Sequence, residues 1–293
     1  MISVQDAFKE FASRLELTKP EQEDASRRQK EIRAYLDEKF HIDHDFLTGS
    51  YKRWTKTKPL KDVDIFCCLA EEENHYRKKH PSEILGAFED ALVPKYGRQN
   101  VTRKRRSVSV GFGSTEEEER VMSFDVVPAF PKGDHYEIPD TADPREWTET
   151  DPRIHEDRAK EANDCFSGEW KRIVRMAKKW NDFHNNPVKP SFLIEVMALD
   201  LLDPPFGGDY RRELKAFFAS MADGIDREWM DPAGLGPPVS DTMDLVQQAE
   251  AKQALHDTER SVTSAMRLEE RGSNGEALRA WRDQVFGPLF PLS

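Results

Sequence analysis

Cysteine is scarce in this 293-residue chain, and acidic charge outnumbers basic. The three cysteines are Cys67, Cys68 and Cys165, two of them adjacent, and no C-x-x-C pair occurs. That pattern fits neither a disulfide framework nor a zinc finger and predicts a reduced, cytoplasmic setting. Long apolar runs are missing as well. None approaches the roughly 18 to 20 residues that cross a bilayer, and the opening "MISVQDAFKEF" has no basic region leading into an apolar stretch, so neither a membrane span nor a signal peptide is expected. Lys and Arg total 44 against 55 Asp and Glu, a net charge of −11. A surface that acidic binds nucleic acid poorly without sequence preference, so any phosphate chemistry requires a locally basic pocket. Internal repeats and low-complexity linkers are absent. What remains is 37% hydrophobic and 34% charged, the composition of a folded, charge-rich globular protein.

Periodicity divides the chain in two. Residues 20–40 read as a helix, with Ile32, Tyr35, Leu36 and Phe40 at helical spacing. "FHIDHDFLTGS" ends in a short strand, and Ser50 stands where an N-cap would start a small helix, "YKRWTKT". "KDVDIFCCLA" (61–70) is β-branched and aromatic and reads as a strand. "PSEILGAFEDALVPKYG" reads as a helix stopping at Gly97. "RSVSVGFG" and "RVMSFDVVPAF" read as two strands joined by an acidic turn, Glu116–Glu119, expected to be a solvated hairpin tip. From about residue 152 the strand signals vanish. Trp170, Ile173, Val174, Ala177 and Trp180 make one apolar stripe, "SFLIEVMALDLL" reads as a buried helix, "RRELKAFFASMADGI" as the helix after it, "DPAGLGPPVSD" (231–241) as a loop, and two helices at about 242–271 and 274–286 finish the chain.

Within the first half, two acids interrupt an apolar strand. Residues i and i+2 of a strand share a face, so Asp62 and Asp64 project together while Val63 and Ile65 face the packing. Two carboxylates a pleat apart repel unless a cation lies between them, and Mg²⁺, which prefers oxygen, is the natural one. Asp125, a lone acid in "SFDVVPAF", is placed to complete a two-metal clamp if its strand is a neighbour. Gly49-Ser50 comes 13 positions before Asp62; glycine permits close backbone approach to a phosphate, and the amides of a helix N-terminus favour an anion. Gly-Ser, then D-x-D, then an acid on a later strand is the signature of the nucleotidyltransferase fold of the DNA polymerase β type. In the basic run "RKRR" (103–106), strand alternation puts Arg103 and Arg105 on the face of Ser107 and Ser109, looking toward phosphate or base; a solvated strand end is the alternative. Tyr51 is expected to pack, and His155 and His184 to be structural or surface histidines.

At the level of whole motifs, "FLTGSYKRWTKTKPLKDVDIF" and "TDPRIHEDRAKEAN…WKRIVRMAKKWNDFHNNPVKPSFLIEVMALDLL" resemble the bacterial cGAS/DncV-like nucleotidyltransferases, the CD-NTases, over roughly residues 20–205. The resemblance implies an α+β fold, a polymerase-β-like lobe with a mixed sheet plus a helical lobe around a cleft. The expected division is 1–44 for N-terminal helices spanning both lobes, 45–150 for the nucleotidyltransferase core and 151–293 for the helical lobe. It implies a Mg²⁺-dependent enzyme, with Mn²⁺ as a substitute, that joins nucleoside triphosphates into a cyclic di- or oligonucleotide second messenger. The product is expected to contain purines, from ATP and GTP, in the manner of cyclic GMP-AMP, and to switch on a separate effector in the anti-phage systems called CBASS. On the family pattern Asp62, Asp64 and Asp125 hold two metal ions, Asp125 doubling as base or serving as ligand alone, and Gly49 and Ser50 contact the donor triphosphate. Lys178 matches the helix lysine that reaches the triphosphate, Ser191 the serine after the following loop, and Phe192 an aromatic that stacks on a base in animal relatives.

No metal-binding spacing like the zinc insertion of animal cGAS is present, so zinc-dependent DNA sensing is not expected; the chain is expected to act as a monomer or with a regulatory protein. Three alternatives share the aspartates: a template-free RNA or tRNA nucleotidyltransferase, an antibiotic-modifying transferase, and a catalytically inactive nucleotide-binding protein of the same fold.

Overall fold

The computed structural model describes residues 2–112, 123–142 and 146–293. Its helices are α1 (Val4–Arg14), α2 (Lys19–Asp37), α3 (Gly49–Lys52), α4 (Ser82–Tyr96), α5 (Pro152–Cys165), α6 (Trp170–Phe183), α7 (Phe192–Leu201), α8 (Tyr210–Gly224), α9 (Leu245–Glu270) and α10 (Asn274–Trp281). Its strands are β1 (Ile42–Thr48), β2 (Asp62–Leu69), β3 (Val101–Arg103), β4 (Val108–Gly111), β5 (Ser123–Lys132), β6 (His135–Pro139) and β7 (Trp147–Thr150). They form two compact units. One comprises residues 17–156 and 233–236 and contains the sheet; the other comprises 1–16, 157–232 and 237–293 and is helical. The N-terminal helices are therefore shared out, α1 to the helical unit and α2 to the sheet unit, and the boundary falls inside α5 rather than at residue 150.

The sheet is mixed, as expected, in the order β1-β2-β5-β4-β3. β2 and β5 run parallel at its centre and the other pairs are antiparallel. β2 carries a nearly unbroken apolar run because a central strand is buried on both faces. On one face, Val63, Ile65, Phe124 and Val126 meet Ala25, Ile32 and Leu36 of α2 and Ile84, Leu85 and Phe88 of α4 in a single buried cluster. On the other, Phe66, Cys68 and Ala129 pack with Tyr136 and Ile138. Burial raises the thiols of Cys67 and Cys68 to about 12, so neither is a nucleophile. α2 begins on a capping box, Thr18 donating its amide to Glu21 Oε2 at 2.7 Å and accepting the Glu21 amide on its hydroxyl. α4 stops at Gly97, whose φ of +84° ends the helix.

Three strands were not foreseen: β3, which the expectation ran together with the strand after the basic run, and β6 and β7. β6 pairs with the far end of β5, and β7 with β6. The turn Glu116–Glu119 lies outside the described residues.

In the helical unit the expected stripe of α6 is realised: Trp170, Ile173, Val174, Ala177 and Trp180 are all buried. They join Phe8 and Phe11 of α1, Leu193 and Met197 of α7, Phe217 and Phe218 of α8, and Trp281 and Phe286 in one core. His184 rests against Trp180, and burial lowers its pKa, which suits a structural role. No helix among the described residues is long and apolar enough to cross a membrane.

Candidate active site

Strand register decides which side chains meet. Thr48 lies opposite Asp64, Asp64 opposite Asp125, and Asp125 opposite Ser109. Residues in register share a face of the sheet, so these four make one polar row across β1, β2, β5 and β4. Asp62 stands a pleat before Asp64 on that face. The three aspartates thus share one face of neighbouring strands, Asp64 directly across from Asp125.

Gly49 closes the row. β1 passes without a linker into α3, and the crossing requires φ = +68°. A Cβ built there would fall 1.7 Å from Asp64 Oδ2. The backbone lies where any side chain would displace the carboxylate, so glycine is required both for conformation and for space. The helix begins at Gly49, two residues earlier than expected, and its cap position is Thr48 rather than Ser50, with no side-chain cap bond. Ser50 is a helical residue whose carbonyl accepts from the amides of Thr55 (3.0 Å) and Lys56 (3.1 Å). Those bonds fold the basic loop back toward β2. Tyr51 packs partly against the sheet core, as expected.

Two lysines meet the acids. Lys56 pairs with Asp62. Lys104 Nζ lies 2.8 Å from both carboxylate oxygens of Asp125. Burial, then Asp62, then Asp125 push the Asp64 carboxyl up to about 7, against the opposing pull of Lys56 and Arg53. The basic groups in place thus leave Asp64 under-compensated. Three carboxylates on register neighbours, with no thiolate or imidazole in the row, are a donor set suited to a hard divalent cation such as Mg²⁺ or Mn²⁺. In the arrangement described, Asp62 and Asp125 are turned to lysines, and among the described residues no three acidic, histidine or cysteine side chains are gathered about one point.

The basic run behaves differently from the expectation. Arg103 pairs in register with Val108, not with the serine row, and its guanidinium binds Glu89 of α4 at 2.8 Å. Arg105 binds Asp140, as does Arg106. The ion pairs of Arg103 and Arg105 are thus with Glu89 and Asp140, acids outside the row of Asp62, Asp64 and Asp125. The alternation failed because Arg103 ends β3 and Ser107 precedes β4, with a turn between, across which Lys104 N donates to Ser107 O at 2.8 Å. A two-residue period does not survive a turn. Lys104, which the expectation passed over, is the member of the run that reaches Asp125; Lys56 and Arg53, within the stretch read as a small helix, were passed over too.

The remaining expected contacts belong to the helical unit. Lys178 is buried on α6, with Nζ 2.5 Å from Glu195 Oε1 of α7. Ser191 is exposed at the start of α7. Phe192 is half-buried and packs against the helical core.

Comparison with known proteins accords with this arrangement. Residues 2–163 match the sequence model of the Second Messenger Oligonucleotide or Dinucleotide Synthetase domain. A relative from Bacillus cereus (strain VD146), named a probable cyclic nucleotide synthase, is 26% identical over 277 residues, covering 83% of this chain and 81% of its own. A cyclic AMP-AMP-AMP synthase of Acinetobacter sp. is 28% identical over 276 residues, covering 87% and 74%. The solved structure of CdnC from E. coli MS115-1 with ATP superposes with a TM-score of 0.74 at 19% identity over 99% of both chains. The same protein has been solved in complex with HORMA-deltaN, with a TM-score of 0.72 at 19% identity over 98% of both chains.

Proposed function

The chain belongs to the Second Messenger Oligonucleotide or Dinucleotide Synthetase family, and from that membership we propose that it condenses purine nucleoside triphosphates into a cyclic oligonucleotide that signals to a separate effector. It is a nucleotidyltransferase of the CD-NTase kind. The observation that carries the proposal is the register of Asp64 with Asp125, with Asp62 on the same face and Gly49 pressed against Asp64.

In each turnover a ribose hydroxyl oxygen of one nucleotide bonds to the α-phosphorus of another, the bond from that phosphorus to the bridging oxygen breaks, pyrophosphate leaves, and the hydroxyl proton passes to a base. A later turnover within the linear product closes the ring. Two Mg²⁺ ions, when bound, would polarise the α-phosphate and offset charge on the alkoxide and the pyrophosphate. Asp62, Asp64 and Asp125 would hold them. Gly49 and Ser50 present the close backbone that lets a triphosphate approach β2. Such chemistry is mostly positioning and charge compensation, and a rigid strand pair is a good platform for both. The contacts of Lys178 with the triphosphate, of Ser191, and of Phe192 with a base belong to this same proposal, as do ATP and GTP as substrates, a cytoplasmic location, an anti-phage role and control by a regulatory protein. The relatives' names, as cyclic nucleotide synthases, favour ring closure over elongation of RNA.

Purified protein incubated with labelled ATP, GTP, CTP and UTP and Mg²⁺, without RNA, is expected to yield small phosphatase-resistant products whose masses give the bases. The Asp62→Ala, Asp64→Ala protein is expected to yield none. Products that form only when RNA is added would overturn the proposal in favour of a template-free RNA nucleotidyltransferase.

A further inference from the structure

Lys56 and Lys104 reach the carboxylate row from opposite directions. Lys56 belongs to the loop after α3 and takes Asp62; Lys104 belongs to the β3–β4 turn and takes Asp125 with both oxygens at 2.8 Å. They occupy the two outer acids and leave the central one, Asp64, between them. The two lysines differ in setting. The Lys56 side chain is 14% exposed, and that of Lys104, on the β3–β4 turn, is 46% exposed. Neither acid can keep a lysine at hydrogen-bonding distance and also bind a divalent ion through the same oxygens, since like charges would then lie within a few ångströms of each other.

We propose that Lys56 and Lys104 are exchangeable counter-ions: they hold Asp62 and Asp125 in position while the site is empty, yield those oxygens to divalent cations, and then bind the phosphates of the incoming triphosphate. The proposal rests on the nucleotidyltransferase reading given above and adds two phosphate-binding residues to it. The charge inventory requires the second half. Divalent ions entering beside two displaced ammonium groups would leave the row over-compensated, and a polyphosphate is the anion that the reaction itself supplies to balance it. An ammonium on a flexible stem suits that transfer, because it binds phosphate as a compact charge without fixed geometry. Metal and nucleotide therefore assist each other: each releases, or re-engages, the same two lysines.

The test uses opposite signs. Lys104→Met keeps the length of the side chain and removes its charge. Free Mn²⁺, measured by electron paramagnetic resonance in the absence of nucleotide, is expected to show several-fold tighter metal binding to this variant than to the wild type, because a competing cation is gone. Calorimetric titration with a non-reacting triphosphate analogue at saturating Mn²⁺ is expected to show several-fold weaker nucleotide binding. Lys104→Arg keeps the charge and is expected to restore both values toward the wild type; Lys56→Met is expected to behave like Lys104→Met. A lysine that is merely structural would leave both affinities alone or weaken both together, and either result overturns the exchange. If neither the wild type nor the variants bind Mn²⁺ at all, the metal-dependent reading fails with it. Normal Mn²⁺ binding that is the same in all of them defeats the lysine proposal alone.

Discussion

Gly49→Ala puts the largest local stress on the candidate site with the smallest chemical change. Two costs can be worked from the geometry. The backbone at φ = +68° is a left-handed conformation, which costs an L-residue with a Cβ about 1–2 kcal/mol. The new methyl would also begin 1.7 Å from Asp64 Oδ2 and 2.6 Å from its Cγ. Restoring an ordinary 3.4 Å contact requires the carboxylate and the loop to part by about 1.7 Å. A displacement of about 1 Å at a reacting centre costs on the order of 100-fold in rate. Pyrophosphate release is therefore expected to fall at least about 100-fold, while urea denaturation shows a stability loss of only about 1–3 kcal/mol. Gly97→Ala is the matched control. Its φ is also positive, +84°, but its Cβ would meet the flexible amide of Gln99, so a similar stability loss should come with nearly unchanged turnover. Gly49→Ala protein that turns over within about twofold of the wild type would refute the claim that this backbone positions Asp64.

Three other outcomes follow from the same geometry. With metal removed by a chelator, Asp64 titrates near 7 when folded against its ordinary value of 3.8; the folded state thus holds this proton more tightly than the unfolded chain. The resulting stabilisation is full below about pH 4 and is lost as pH rises to about 7, at most on the order of 4 kcal/mol, and Asp64→Asn should remove it when denaturation midpoints are compared across that range. Glu195→Ala removes the carboxylate that Lys178 meets in the helical core, and the loss is expected to be about 3–5 kcal/mol by denaturant titration; a neutral result would show that this ion pair is not what compensates the lysine. Arg103→Ala should leave the KM for nucleoside triphosphate within about twofold, since Arg103 serves Glu89 on the far face of the sheet; a large rise in KM would return it to the site.

The parts that were legible in the sequence are those governed by a local period. β2 and β5 announced themselves by apolar runs, and the acids within them by their parity, so Asp62 and Asp64 could be placed on one face before any register was known, with Asp125 across from them on condition that β5 was a neighbour. α6 was legible because five apolar residues, Trp170, Ile173, Val174, Ala177 and Trp180, repeat on one stripe. What failed depended on contacts between elements. Arg103 and Arg105 were misplaced because one alternation was carried through what is in fact the β3–β4 turn. β6 and β7 have five and four residues, too short for alternation to stand out, and are held by pairing with β5 and with each other. Ser50 looked like a cap because serine commonly is one, whereas the chain enters α3 directly from a strand through a positive-φ glycine. The lysine partners of the aspartates were invisible because a lysine's reach is set by the loop that carries it; in Lys56 that loop is drawn back by two amides on one carbonyl of Ser50.

Anomalous diffraction from crystals grown with Mn²⁺ and a non-reacting purine triphosphate tests the central claim most directly. The account expects manganese peaks coordinated by oxygens of Asp62, Asp64 and Asp125 and of the triphosphate. A triphosphate bound with no manganese within reach of those three carboxylates would contradict it.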